Sequence, residues 1–182
     1  MKYDVILADP PWRYSKTVGQ GIAEDVYPTM GIDELCALPV GDFASDNCVL
    51  FLWTTAPTLL DYAPKIIKAW GFEYKTKAFC WVKANKSGAG FFFGIGHYTA
   101  SNTEDCLLCT KGKPVRVAKD VSQIIYAPLT RHSQKPPEQY SKIERLYPDK
   151  MYLELFARNK NRPGWDYWGN EIESDIAMGE RI

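Results

Sequence analysis

Asp9, Pro10, Pro11 and Trp12 stand directly behind the apolar run Tyr3-Asp4-Val5-Ile6-Leu7-Ala8, and together these residues can build a receptor for an amino group. The run reads as a buried strand. Two successive prolines fix φ and bias Asp9 and Pro10 toward extended geometry, so the chain leaves the sheet edge rigidly. Neither proline carries an N–H. The turn therefore offers carbonyl oxygens and the Asp9 carboxylate with few competing donors, which suits a ligand that brings two N–H bonds, such as an exocyclic amine. Trp12 adds a flat apolar face on which a planar base can stack. An adenine amine is a weak nucleophile because its lone pair is delocalised into the ring. Acceptors on both hydrogens, here Asp9 and the Pro10 carbonyl, help it to pyramidalise and attack, and the carboxylate can take the released proton. The same four residues are also compatible with a strand that ends in a proline turn with an Asp cap.

The elements that must position this turn alternate between strands and helices. The segment Arg13 to Gly31 is too long for a routine connection after a strand and is expected to form one wall of a site. Ile32 to Leu38 predicts a short helix stopped by Pro39, and Cys48 to Trp53 a strand buried on both faces. Leu59, Leu60, Ala63, Ile66, Ile67 and Trp70 recur at helical spacing, with Gly71 as a stop and Pro64 as an expected kink. Strands follow at about Tyr74 to Lys83, Asp105 to Thr110 and Gln123 to Ala127. Pro137 to Tyr147 fits a helix opened by proline, and Tyr152 to Phe156 and Trp165 to Trp168 complete the strands. This alternation implies an α/β domain with a largely parallel sheet covered on both sides, in which ligands bind beyond the carboxyl ends of the strands. Asp9-Pro10-Pro11-Trp12 and Phe156-Ala157-Arg158 both fall there.

The chain of 182 residues, 46% apolar, carries no linker or shift of composition and is expected to form a single domain over 1–182, with residues 172–182 as a polar tail. Its longest apolar stretches, Cys48 to Trp53 and Phe91 to Ile95, are far short of a membrane span, and the N-terminus has no signal-peptide pattern. No membrane partner and a cytoplasmic location are therefore expected. Lys+Arg and Asp+Glu are equal at 22, which excludes a global positive field as the means of finding nucleic acid. Local charge remains available in Lys111, Lys113, Arg116 and Lys119, which run without an acid, and in Arg131, His132 and Lys135. The five cysteines give no disulfide framework. Cys106 and Cys109 lie on a predicted strand, where odd spacing sends them to opposite faces, so no metal site is expected from them. Phe91-Phe92-Phe93 is compatible with an exposed stacking tip, a dimer contact or buried core.

Further matches extend along the chain: Ala8 to Trp12, Tyr27-Pro28-Thr29-Met30, Phe51-Leu52-Trp53-Thr54, Trp81-Val82-Lys83, the block from Gly96-His97-Tyr98 to Lys111-Gly112, Arg131 to Pro136, Ile143 to Leu146, Glu154 to Arg158 and Trp168-Gly169-Asn170-Glu171. In that order they resemble the MT-A seventy family of S-adenosylmethionine-dependent adenine-N6 methyltransferases, with a layout similar to small phage and bacterial DNA adenine methylases. The resemblance implies a Rossmann-like fold in permuted motif order, with the catalytic turn near the N-terminus and cofactor motifs near the C-terminus. The order accounts for the lack of a glycine-rich cofactor loop after the first strand.

Carried over by motif, Asp9, Pro10, Pro11 and Trp12 would be catalytic, with Asp9 also bordering the cofactor. Lys135 would approach the methionine carboxylate of S-adenosylmethionine and Phe156 would line its pocket. Arg158 and Asn161 would bond the ribose hydroxyls, and Asn170 with Glu171 would hold the far end. Trp12, Tyr27, Glu104, Arg131 and His132 would face the nucleic acid, while Trp53 and Trp81 read as core. The resemblance implies methyl transfer to adenine N6 with a short or relaxed target, DNA favoured, by a monomer or homodimer. The alternatives are an RNA adenine-N6 methyltransferase and a catalytically silent nucleic-acid-binding partner of another methyltransferase. Two departures from large family members stand out: the first strand begins two residues after Met1, so part of the adenine pocket is expected to be built differently, and neither a zinc-finger segment nor a separate target-recognition domain is expected, so the loops Arg13 to Met30, Asn85 to Phe93 and Lys111 to Lys119 would have to grip the nucleic acid.

Overall fold

A computed structural model describes residues 1–13, 29–94, 96, 98–130, 134–160 and 162–178. In chain order its elements are β1 (Tyr3–Ala8), α1 (Ile32–Ala37), α2 (Val40–Phe43), β2 (Ala44–Thr54), α3 (Ala56–Leu59), α4 (Ala63–Ala69), β3 (Glu73–Ala84), β4 (Thr103–Lys111), β5 (Ile124–Pro128), α5 (Glu138–Leu146), β6 (Tyr152–Leu155) and β7 (Trp165–Trp168). The strands form one sheet in the order β5-β3-β4-β2-β1-β6-β7. β1 runs parallel to β2 and β6, β6 to β7, and β3 to β5. β4 is antiparallel to both of its neighbours, β2 and β3. This is the Rossmann-like α/β fold with a mostly parallel sheet.

The reversal of β4 matters for chemistry. Its register sets Asp105 opposite Thr54 and Thr103 opposite Val82, so the first residues of β4 lie on the edge where the other strands end. A residue near the start of β4 and one just past the end of β1 thus share one rim of the sheet.

Alternating side chains divide the core into two layers. Ile6, Ala8, Leu50, Leu52, Leu107 and Leu153 form one layer with Leu35 of α1, Val40 of α2 and Ile66, Ile67 and Trp70 of the α4 region. Val5, Leu7, Val49, Phe51, Trp53, Phe79 and Trp81 form the other with Tyr140, Ile143 and Leu146 of α5. Cys106 and Cys109 fall in different layers, as odd spacing on a strand requires, and both are buried free thiols. Trp53 and Trp81 are 1% exposed and belong to the core.

Three expectations change, and one open reading narrows. Pro64 does not kink a long helix; it opens α4, and the helical spacing from Leu59 to Trp70 is shared between α3 and α4. Proline lacks an N–H and is tolerated in a first helical turn, where that donor has no intrahelical partner. Residues 172–178 are not a loose polar tail, because Met178 is 1% exposed, Ile176 packs on the same layer and Asp175 accepts the Tyr167 N–H at 2.9 Å. The basic run Lys111 to Lys119 leaves the far end of the reversed β4, where Lys111 Nζ donates to the Gly41 carbonyl and Val117 N–H to the Leu146 carbonyl at the end of α5. It sits at the edge opposite Asp9 and does not border that turn. Phe91 and Phe93 are 53% and 72% exposed, which excludes buried core for both, and the Phe91 ring stands edge-on to Tyr126 at 6.2 Å.

After β6 and β7 the chain makes two bends that touch. Ala157 N–H donates to the Trp168 carbonyl at 3.0 Å, and a Cβ on Gly169 would collide with the Ala157 carbonyl oxygen. Gly169→Ala must force the bends apart, so stability measured by urea unfolding is expected to fall by about 1–3 kcal/mol. An unchanged unfolding midpoint would show that the two bends are not held together.

Candidate active site

Asp9 is the first residue beyond β1, and its side chain retains 31% of its exposure. Its Oδ2 accepts a hydrogen bond from Lys135 Nζ at 2.7 Å. Lys135 is 9% exposed in its side chain and lies 3.2 Å from Glu104 Oε2, while Glu104 Oε1 meets Lys83 Nζ at 2.6 Å. Asp9, Lys135, Glu104 and Lys83 thus form a row of alternating charge along the rim.

Each member comes from a different part of the sheet, for a local reason. Lys83 is the last residue but one of β3, and Glu104 is the second of the reversed β4 beside it. Lys135 precedes α5, whose buried face of Gln139, Tyr140 and Ile143 docks on the sheet. The Trp53 indole N–H donates to Gln139 Oε1 at 2.7 Å, which ties the start of α5 to the end of β2. The Trp53 ring then lies 5.5 Å from Lys135 Nζ, an additional cation–π contact from below.

Burial and charge act against each other in this row. Burial alone would depress the Lys135 ammonium, yet Asp9 and Glu104 outweigh it and hold that group above the ordinary lysine value. Burial would raise Glu104, but Lys135 and Lys83 together hold it below the usual carboxylate range. At Asp9 desolvation prevails over the lowering effect of Lys135, so its carboxyl is lifted and the carboxylate is a stronger proton acceptor than a solvated one.

The turn itself differs from expectation in two respects. Its acceptors are not free of donors: the Trp12 N–H bonds the Pro10 carbonyl at 2.9 Å, the Met30 N–H bonds the Pro11 carbonyl at 2.8 Å, and Lys135 holds Asp9. Trp12 does not present an open stacking face either. It pairs with Met30, is 5% exposed and joins the core layer, leaving its indole N–H buried with no acceptor among the described residues. The ring therefore anchors the turn from beneath. Arg13 reinforces this arrangement by donating to the Thr29 carbonyl at 2.7 Å.

On the neighbouring strands Phe156 adopts φ 62°, a left-handed conformation that costs an aromatic residue about 1–3 kcal/mol. Its ring packs edge-on against Trp168 at 5.4 Å. Arg158 Nε lies 3.4 Å from Glu171 Oε1, so these two residues of the C-terminal motifs come together beyond β6 and β7, and Asn170 is exposed beside them. Tyr27, Arg131, His132 and Asn161 lie outside the described residues.

Glu154 is a residue that motif reading passed over. It pairs with Leu7 in the β1–β6 register, accepts the Tyr140 hydroxyl at 2.8 Å and is pushed up to about 7, by desolvation first and by the charge of Asp9, with the Tyr140 bond acting in the opposite sense. The signal was present in the sequence, since Tyr-Leu-Glu-Leu-Phe sets one acid inside a buried apolar run. Lys83 was likewise matched only as part of a block. Because an unfolded glutamate loses its proton near 4.3 and the folded one near 7, the folded state binds more protons between those values and stability falls as pH rises through them. Glu154→Gln is therefore expected to gain stability relative to the parent between about pH 5 and about pH 8. A difference in urea midpoint that stays constant over that interval would contradict late titration of Glu154.

The model of the MT-A70 family matches residues 3–171. The Type II methyltransferase M.MunI from Mycoplasma sp is 38% identical over 191 aligned positions, covering 94% of this chain and 78% of the relative. An N(6)-adenosine-methyltransferase MT-A70-like protein from Drosophila melanogaster is 34% identical, and the N(6)-adenosine-methyltransferase catalytic subunit METTL3 from Homo sapiens 31%, each over 94% of this chain. The chain spans about a quarter of those two proteins, 27% and 28% of their lengths. A match that runs from β1 through the bend after β7, with the Asp9-Pro10-Pro11-Trp12 turn on the carboxyl rim of the sheet, makes this chain a member of the MT-A70 family.

Proposed function

We propose that this protein transfers a methyl group from S-adenosylmethionine to the N6 amine of adenine in nucleic acid, with DNA the favoured substrate. The observation that carries the reading is Asp9, one third exposed on the rim yet fixed by an almost buried lysine. Among the described residues no hydrogen bond is made to its second oxygen, Oδ1, which can accept an amine hydrogen, and its lifted basicity suits it to take the surplus proton once the nitrogen has bonded to carbon. Its exposed side then passes that proton to water. Lys135 keeps the carboxylate oriented through the event, and Trp12 and Met30 hold the proline turn so that the acceptor does not move.

The donor set beyond β6 and β7 fits the cofactor in chemical type. Arg158 with Glu171 can bond a ribose diol and Phe156 supplies an apolar wall, while beyond β1 the Trp12 indole N–H, without an acceptor among the described residues, is a buried donor that a ligand could satisfy. Lys135 already serves two carboxylates, so a methionine carboxylate would be its third partner. When bound, S-adenosylmethionine supplies an electrophilic methyl group. A base paired in a duplex hides its amine, so the target must be single-stranded or flipped at a cost of about a few kcal/mol.

The preference for DNA rests on the layout shared with small phage and bacterial DNA methylases and on the higher identity, over most of its length, to the type II methyltransferase. The relatives named as N(6)-adenosine-methyltransferases favour RNA as a second reading. Labelled S-adenosylmethionine offered with single- and double-stranded DNA and RNA, followed by nucleoside mass spectrometry, separates the two. N6-methyladenine in DNA is expected; product confined to RNA would replace the first reading by the second. No product with any of the four, despite cofactor binding, would overturn both and leave a silent binding role. Asp9→Asn removes the proton acceptor while keeping the side-chain volume. It is expected to lower kcat by about 10²–10⁴-fold in a folded protein, and turnover near the parent rate would remove Asp9 from the mechanism.

A further inference from the structure

We propose that Lys83 is a positioning residue of the acceptor site: by holding Glu104 Oε1 it leaves only Oε2 for Lys135 and so keeps Lys135 on Asp9. This rests on the reading of Asp9 as acceptor. Among the described residues Lys83 makes its ion pair with Glu104, and the row passes through that acid, at 2.6 Å from Lys83 and 3.2 Å from Lys135.

Lys83 is built to stay in place. Its side chain is 12% exposed, and its ammonium lies 5.3 Å from the Trp81 ring. That ring is fixed in turn by the indole N–H, which donates to the Ala127 carbonyl at 2.9 Å. The backbone is held on both sides, since Lys83 N–H donates to the Asn102 carbonyl at 2.9 Å and the Lys83 carbonyl accepts the Phe92 N–H at 2.8 Å. An exposed ion pair contributes little, but a buried carboxylate stripped of one of two cations must be compensated by the other. Without Lys83, Glu104 draws Lys135 toward itself, lengthening the bond to Asp9. Lys83 neutralises the far end of the row and thereby decides which acid Lys135 serves more closely.

The effect is one of position, so it is read in kcat. Lys83→Gln is expected to lower kcat by about 10- to 100-fold, as a displacement of about 1 Å can. Lys83→Arg, which retains the charge, is expected to recover most of the rate. The decisive comparison is Lys83→Gln/Glu104→Gln against Glu104→Gln alone, because the double variant buries no unpaired charge and the two should turn over at the same rate. A Lys83→Gln enzyme at the parent kcat, or a double variant slower than Glu104→Gln by tenfold or more, would overturn the proposal. The parent rate measured in parallel separates the two questions: no methyl transfer by the parent sinks the reading of the site, and transfer by the parent with an unaffected Lys83→Gln sinks the role of Lys83 alone.

Discussion

A lysine side chain with 9% of its surface exposed must have anions against it, and the rim of this sheet is organised around that requirement. Lys135 meets Asp9 on one side and Glu104 on the other, with the Trp53 ring beneath. Two carboxyl groups stand against it, a third, Glu154, is close enough to feel the charge of Asp9, and the three titrate differently for stated reasons. Glu104, between two lysines, is held low; Asp9, with one lysine and more burial than that lysine compensates, is lifted; Glu154, bonded by the Tyr140 hydroxyl, is pushed up to about 7 by desolvation. The chemistry asked of Asp9 depends on this middle position. A fully compensated carboxylate would be a poor base, and an uncompensated one would carry its proton already.

The sheet supplies the geometry. Parallel strands gather their carboxyl ends at one rim, which explains Asp9 and Lys83. Glu104 reaches the same rim because β4 runs the other way and begins where its neighbours end. α5 then crosses one face with Gln139 bonded to Trp53 and Tyr140 to Glu154, and the residues just ahead of it bring Lys135 over the rim. The stiffness of the turn comes from the opposite layer, where Trp12 and Met30 join the core. Acceptor and cation are thus anchored in separate apolar layers, and each is rigid through its own packing.

The same topology explains why some sequence expectations moved. The basic run Lys111 to Lys119 reads as a nucleic-acid grip only if its strand ends at the active rim, and the reversal of β4 sends it to the far edge. Trp12 reads as an open platform from its neighbours in sequence; its burial is decided by Met30 and by a layer that includes Leu153 and Leu155, which come from distant positions. Few competing donors were expected at a double proline, yet the donors arrive from Met30 and Lys135, far along the chain.

Read alone, the sequence determined the order of the strands with α1 and α5 to within a few residues, though not α2 or the division between α3 and α4, and it determined the alternating α/β architecture, the opposite facing of Cys106 and Cys109, and the placement of Asp9 and Phe156 at strand ends. These follow from local periodicity, from proline and glycine, and from the motif order shared with the MT-A70 family. Only the tertiary structure decided that Asp9 and Glu104 share Lys135 while Lys83 pairs with Glu104, that Glu154 is a desolvated acid, and that the Trp12 ring lies in the core. The physical reason is that burial, and the pairing it forces on charged groups, depends on which strands become neighbours and in which direction they run, and no window of sequence contains both sides of those contacts.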